Sequence, residues 1–175
     1  MRWSRTSSRT EEFMEFATRR AGHLHRAACL LTSGDTHLAE DLVQETLSRM
    51  YTLWDRSSRI DNPAAYAQAV LVRTFLTHKR RYSASERPQA ELPDAPMPRS
   101  ADDPALRLAL LEALRELPAK DRVVVVLRYW EDRSVEETAD AMNVSPAAVR
   151  TRSTRALAKL RDRLADGLTE LIASV

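Results

Sequence analysis

Six basic side chains, Arg150, Arg152, Arg155, Lys159, Arg161 and Arg163, stand within residues 150–163 against one acid, Asp162. Cations at that density hold phosphate by charge and hydrogen bonding; they make and break no covalent bond. Residues 131–140 reverse the balance, with five acids (Glu131, Asp132, Glu136, Glu137, Asp140) against Arg133. The segment joining them is Ala139-Asp140-Ala141-Met142-Asn143-Val144-Ser145-Pro146. Ala139 is small enough for two helices to cross closely, and Met142 and Val144 can fill the angle between them. Asn143 tolerates the left-handed backbone of a tight turn. Ser145 is a good N-cap and Pro146 suits the first helical position. This is the pattern of a helix-turn-helix with a basic second helix, the part that enters a DNA major groove.

On that second helix Val149, Ser153, Ala156, Leu157, Leu160 and Leu164 recur at steps of three and four and face inward. The opposite face shows Ala147, Thr151, Thr154, Arg155 and Ala158, with Arg150 on one flank and Arg152 and Lys159 on the other. Small and hydrogen-bonding residues allow close approach to base edges. Flanking Arg and Lys suit phosphates, which fix position without reading sequence. The alternative is a solvated basic face on an ordinary core helix. Turn, cap and charge signals agree against it.

The elements that must position this face come next. Only three Gly in 175 residues, with abundant Ala, Leu, Glu and Arg and no alternating strand pattern, predict an all-α protein. The β-branched run at 123–127 sits between helix formers and reads as a buried helix. Five of the eight prolines fall at Pro88, Pro93, Pro96, Pro98 and Pro104. From 83 to 104 there are Glu86, Glu91, Asp94, Asp102 and Asp103 against Arg87 and Arg99, a net of −3. Such a stretch cannot bury a core and reads as an extended flexible linker. It separates two small helical domains, 10–82 and 105–164, with a disordered tail at 1–9 and a C-terminal tail at 165–175.

The N-terminal domain is expected to hold three helices. The first runs from about residue 11 to 31, with Phe13, Phe16, Ala17, Ala21, Leu24, Ala28 and Leu31 inward. Gly34 and Asp35 end it and cap the next. The second runs to about residue 54, with Leu38, Leu42, Val43, Leu47, Met50, Tyr51 and Trp54 as its apolar stripe. Its other face exposes Glu40, Asp41, Gln44, Glu45 and Arg49. A polar loop at 56–62 precedes a third helix that starts after Asn62-Pro63. That helix ends in a basic cluster, Arg73, His78, Lys79, Arg80 and Arg81, with no nearby acid.

Three stretches resemble the extracytoplasmic-function sigma factors of the sigma-70 family, closest to their actinobacterial SigE-like branch. His37-Leu38-Ala39-Glu40-Asp41-Leu42-Val43-Gln44-Glu45-Thr46 resembles the region 2.2 signature. Asn62-Pro63-Ala64-Ala65-Tyr66, with Lys79-Arg80-Arg81, resembles regions 2.3 and 2.4. Residues 122–161, with Glu136-Glu137-Thr138-Ala139 and Ala148-Val149-Arg150-Thr151-Arg152, resemble region 4. Together they span most of the chain outside the tails and linker.

The resemblance implies an RNA polymerase sigma factor that binds core polymerase and directs initiation at −10 and −35 elements. Asp41, Gln44, Glu45 and Arg49 would dock on the β′ coiled coil; from pattern alone that face reads as solvated. Ser57, Ser58, Arg59, Asp61 and Asn62 would receive a flipped −10 base. Arg73, His78, Lys79, Arg80 and Arg81 would track the backbone near the melted DNA. Arg150, Thr151, Arg152, Thr154, Arg155 and Lys159 would meet the −35 element, and an apolar surface of region 4 the β flap. His78, Arg73 and Ala147-Ala148 depart from the residues common in the family, which bears on promoter preference rather than on role. Whether an anti-sigma factor is a further partner stays open.

No enzymatic constellation competes. His23 and His25 are two apart, off a shared helix face, and make a poor metal pair. There is no P-loop, no GxSxG and no Cys/His cluster, so no cofactor, metal or small-molecule substrate is expected. Cys29 is the only cysteine and reads as packing. No run reaches the ~18 apolar residues of a membrane span. The basic start lacks a signal-peptide core, so a cytoplasmic location is expected. Two other readings remain: a free-standing regulator binding duplex DNA as a homodimer, and an interaction module that does not read DNA.

Overall fold

The 3.6-residue apolar period, broken at Gly34, at Asn62-Pro63 and at Asn143, becomes seven α-helices among the described residues. They are α1 (Arg2–Leu31), α2 (Thr36–Leu53), α3 (Pro63–Tyr82), α4 (Pro104–Arg115), α5 (Ala119–Val125), α6 (Val135–Met142) and α7 (Pro146–Ala173), with a π-helical turn, Val126–Trp130, continuing α5. This computed structural model describes residues 2–54, 61–82 and 104–173, with side chains over 8–54, 61–82 and 104–165. The linker expected at 83–104 lies almost wholly outside the described residues.

Helices α1, α2 and α3 form the first unit. Gly34 at φ 92° reverses the chain after α1, and its amide donates to the Cys29 carbonyl at 2.8 Å. Asp35 then caps α2 by accepting from the Leu38 amide at 3.0 Å. The expected stripes meet: Leu24, Ala28 and Leu31 of α1, Leu42 and Met50 of α2, and Leu71 and Phe75 of α3 are all buried. Each such aliphatic or aromatic side chain contributes ~1.5–3 kcal/mol by leaving water. Phe13, Phe16 and Trp54 cluster at one end, with ring centroids 4.9–6.4 Å apart. Tyr51, expected in the stripe, is exposed, although its ring lies 5.1 Å from Phe13. Helix α1 begins at Arg2, across the stretch expected as a disordered tail. No Pro or Gly interrupts that stretch. Arg9 donates to the Tyr51 carbonyl at 3.2 Å, giving the early helix a tertiary contact. The Cys29 thiol is buried, which pushes its pKa up to about 11; such a thiol is packing, not redox chemistry.

Helices α4 to α7 form the second unit around Leu114, Val123, Val124, Leu127, Val149, Ala156 and Leu160. The run at 123–127 is helical, as expected. Its register shifts where the Glu131 amide reaches the Val126 carbonyl at 2.9 Å, an i→i+5 bond. The shift buries Leu127 and leaves Tyr129 and Trp130 exposed.

The two units, read from sequence as separate domains on a linker, pack on one another and share one hydrophobic core. Gly34 at the α1–α2 turn faces Leu111 of α4. Arg122 of α5 is buried and donates to the Leu31 carbonyl of α1 at 2.7 Å. Glu131, its side chain 3% exposed, lies 2.6 Å from His23 Nε2 of α1, and Gln68 of α3 donates to the same carboxylate. Arg133 returns a donor to Gln68 Oε1 at 2.9 Å. A buried carboxylate needs such donors, because water is not there to supply them.

Candidate nucleic-acid interface

The turn that presents α7 is built from local hydrogen bonds. Ser134 caps α6 through the Glu137 amide at 3.0 Å, while Glu137 reaches back to the Ser134 amide at 2.8 Å. These bonds hold the Glu137 carboxyl below the ordinary carboxylate range. Asn143 ends α6 in the left-handed conformation at φ 54°. The Val144 amide closes the turn on the Ala139 carbonyl at 3.0 Å. Ser145 then caps α7 by accepting from the Ala148 amide at 3.2 Å. Ala139 and Met142 are buried at the crossing. The sequence reading of every residue in this turn holds.

Helix α7 buries Val149, Ser153, Ala156 and Leu160 and exposes Ala147, Thr151, Thr154, Arg155 and Ala158, as its periodicity requires. Thr151 and Thr154 give their hydroxyl protons to the Ala147 and Arg150 carbonyls at 3.1 and 3.2 Å. Both side chains are exposed, and their oxygens keep lone pairs that can accept, beside methyls that suit a thymine methyl. Arg150 meets Glu136 of α6 at 3.2 Å, both well exposed. A surface pair of this kind is worth ~0–1 kcal/mol and yields readily to a phosphate. Lys159 donates to the Glu116 carbonyl at 2.6 Å. Arg152 and Arg155 are held differently, by the buried carboxylate of Asp121 on α5.

The basic end of α3 forms a second surface. Arg80 and Arg81 are exposed; His78 and Lys79 are partly covered. Burial lowers the His78 pKa below its usual 6.5, with the Lys79 charge as the next cause. Burial also lowers the Lys79 pKa, followed by the Arg122 charge. Arg73 lies apart from this end, donating to the Ala141 carbonyl of α6 at 3.3 Å. Arg73, Lys79, Arg80 and Lys120 line a groove of about 900 Å³ between α3 and the turn of the helix-turn-helix.

At the other end of α3, Asn62 caps the helix by accepting from the Ala65 amide at 3.0 Å. Asn62 and Asp61 border a hollow of about 390 Å³ that Phe16, Arg19 and Arg20 of α1 complete. An aromatic ring and two cations beside polar side chains can hold an unstacked base. The sequence reading missed Arg19 and Arg20. They fall off the apolar stripe of α1, and nothing local places that face against Asn62. Ser57, Ser58 and Arg59 lie outside the described residues. On α2 the exposed row is Asp41, Gln44, Glu45 and Arg49, with Glu45 and Arg49 paired at 2.5 Å. Opposite it, Ala39, Leu42, Val43, Thr46 and Met50 are buried.

Among the described residues no group of His, Cys, Asp or Glu is placed to hold a metal ion, and no helix is long and apolar enough to cross a membrane. A capped helix-turn-helix with a hydrogen-bonding outer face, beside a second helical unit with a basic end, defines an all-helical DNA-binding protein of two units.

Comparison with known proteins carries this further. The model of Sigma-70 region 2 matches residues 16–85 and that of Sigma-70 region 4 matches residues 107–160. The RNA polymerase sigma-E factor of Streptomyces coelicolor is 37% identical over 153 residues, 87% of this chain and 86% of that protein. The factor of the same name from Streptomyces avermitilis is 39% identical over 87% of this chain and 85% of its own. The chain thus belongs to the sigma-70 family of RNA polymerase sigma factors. Its fold is that of the sigma factor RpoE solved with the anti-sigma factor NepR from Bartonella quintana. That likeness has a TM-score of 0.66 at 22% identity, covering 89% of this chain and 98% of the other. CnrH, solved with the cytosolic domain of CnrY, has a TM-score of 0.62 at 23% identity, covering 90% of each chain.

Proposed function

We propose that this chain binds core RNA polymerase in the cytoplasm and directs initiation by engaging a −10 element through region 2 and a −35 element through region 4. The observation that carries this reading is the order of the two matched regions, each falling on a helical unit with exposed basic side chains. The exposed row Asp41, Gln44, Glu45 and Arg49 docks on the β′ coiled coil. Ser57, Ser58, Arg59, Asp61 and Asn62 take the flipped base, and Phe16, Arg19 and Arg20 border Asp61 and Asn62. Arg73, His78, Lys79, Arg80 and Arg81 follow the backbone upstream, and an apolar surface of region 4 meets the β flap. On α7, Thr151 and Thr154 read base edges, while Arg150, Arg152, Arg155 and Lys159 hold phosphates or the outer bases. The protein performs no covalent chemistry; it positions DNA for the polymerase. The sigma factor RpoE, which it resembles in fold, was solved with the anti-sigma factor NepR, and a protein of that kind is a further partner. The test is co-elution with core polymerase followed by transcription from a randomised promoter library. Enrichment of templates with a shared −10 and −35 pair is expected; failure to associate with the core enzyme of its host would falsify the reading.

A further inference from the structure

Asp121 is the most deeply buried acid among the described side chains of region 4, 1% exposed, and it lies at the first turn of α5 rather than on the DNA-facing helix. Its two oxygens are taken by two arginines of α7. Arg155 presents a fork, with Nε at 2.8 Å from Oδ2 and Nη2 at 2.7 Å from Oδ1. Arg152 adds Nη1 at 2.8 Å from Oδ1. The two guanidinium groups are unequally covered: the Arg152 side chain is 26% exposed, that of Arg155 59%.

Arg152 donates to Oδ1 alone, and a buried carboxylate held only in that way would keep Oδ2 without a donor. Instead it also grips the inner edge of an arginine whose outer part stands in solvent on the DNA-facing side of α7. Fork-to-carboxylate bonding fixes both the distance and the plane of a guanidinium. A guanidinium so fixed keeps its remaining donors in one orientation, which a flexible surface arginine does not. The two arginines are three residues apart, so a single anchor on α5 also fixes the rotation of α7 about its own axis. That rotation decides where Thr151 and Thr154 point. The carboxylate further removes one unit of positive charge from a flank that would otherwise attract any phosphate.

We propose that Asp121 is a positioning residue for −35 recognition: it sets the plane of Arg155 and the rotation of α7, and it restrains non-specific attraction to DNA. The proposal rests on the reading that α7 meets the −35 element. It implies opposite signs for two observables on one substitution. Removing the Asp121 charge should lower selectivity, because Arg155 is no longer oriented. The same change should raise non-specific affinity and its salt dependence, because two arginines regain their full charge.

The experiment uses the full chain bound to the core polymerase of its host. Templates chosen by the wild-type holoenzyme are each compared with a copy whose −35 segment is scrambled, over a salt series. A wild-type enzyme indifferent to scrambling would overturn the −35 reading itself, and this proposal with it. Given wild-type discrimination, Arg155→Lys keeps the charge and loses the fork while Arg152 still holds Asp121, and thermal melting of the variant verifies that the fold is kept. It should lower the selectivity ratio about tenfold with the salt slope unchanged. Asp121→Asn should lower the ratio to a similar degree, tighten binding to scrambled templates, and steepen the salt slope by about one. The double variant should be no less selective than Asp121→Asn alone, since that change already releases Arg155. The proposal is overturned, with the −35 reading intact, if Arg155→Lys keeps wild-type selectivity. It is equally overturned if Asp121→Asn weakens both templates in step with no change of slope.

Discussion

Arg122 of α5 donates through Nη1 to the carbonyl of Leu31, the last residue of α1, at 2.7 Å. Its Nη2 reaches the Arg115 and Leu117 carbonyls at 3.0 and 3.2 Å. One buried cation thus closes the end of a region 2 helix and the end of α4 in region 4. Burial, and next the Arg115 charge, push its pKa down to about 10, so it remains a cation at neutral pH.

Elements named for positions −10 and −35 stand ~25 base pairs apart, or ~85 Å along duplex at 3.4 Å per pair. A single packed body of this length has a radius of gyration of ~16 Å. The packed arrangement cannot span both, so the Arg122–Leu31 contact is expected to break when a promoter is engaged. Fluorescent labels on α2 and α7 should move apart when core polymerase binds; an unchanged distance counts against this. Arg122→Met should cost ~3 kcal/mol in the free chain by leaving carbonyls without their donor, read by thermal unfolding.

The helix-turn-helix was legible because its determinants are local. Asn143, Ser145 and Pro146 act within a turn of their own positions. The role of Asp121 was not, because its arginines lie 31 and 34 residues away. His23 read only as half of a poor metal pair; its neighbour Glu131 is 108 residues distant in sequence. The π-helical turn was hidden for another reason. A run of valines has no polar residue to reveal its register, so the i→i+5 shift that exposes Tyr129 and Trp130 leaves no periodic trace. On α2 the sequence named the exposed row, but exposure alone does not say what covers it.

That row carries the polymerase prediction. Asp41→Ala with Gln44→Ala should weaken association with core polymerase while leaving the melting of the free chain within ~0.5 kcal/mol of wild type, since both side chains point to solvent. Wild-type affinity in the double variant, measured by titration of labelled protein, would remove α2 from the interface.

His78 gives a pH dependence with a definite sign. Its folded pKa is lowered below 6.5, chiefly by burial and then by Lys79, so folding favours the neutral ring. Its contribution to stability is complete above the unfolded value and declines as pH falls from 6.5 through the folded value. The imidazole resonance of His78 should titrate below 6.5, and His78→Gln should flatten the acid limb of the stability profile. A midpoint above 6.5 in the free chain contradicts the assignment.

Two substitutions on α7 separate reading from folding. Val149 is fully buried, so Val149→Asp should unfold region 4 at a cost above ~3 kcal/mol, seen as loss of cooperative melting in that unit. Arg150→Ala should leave melting unchanged, because its pair with Glu136 is exposed. It should weaken holoenzyme binding at all −35 sequences and reduce the salt slope by about one. Loss of discrimination at a single base pair would instead make Arg150 a base reader.

The basic end of α3 distinguishes a sigma factor from a regulator that binds intact duplex. Extruding a base costs a few kcal/mol of unpairing and unstacking. A unit this small, in which Phe16 is the aromatic among the described residues that line the hollow beside Asp61 and Asn62, is not expected to offset that cost alone. Docked on polymerase, loop and DNA are held together and the cost is shared by the whole assembly. Arg80 and Arg81 are exposed at the far end of the helix that Asn62 caps, where they can hold the strand leading to the opened base. Changing both to Gln should therefore slow open-complex formation on duplex promoters, and a template with a pre-melted bubble should restore part of the rate, because it removes the unpairing step. Changes at Asp61 and Asn62 should alter which −10 sequences are used, on duplex and bubble alike, provided the cap is kept with Asn62→Asp. The measurement is open-complex formation on both templates with each variant. Tight binding of the free chain to an intact palindromic duplex, with the arginine variants matching wild type on both templates, would favour a homodimeric regulator over a sigma factor.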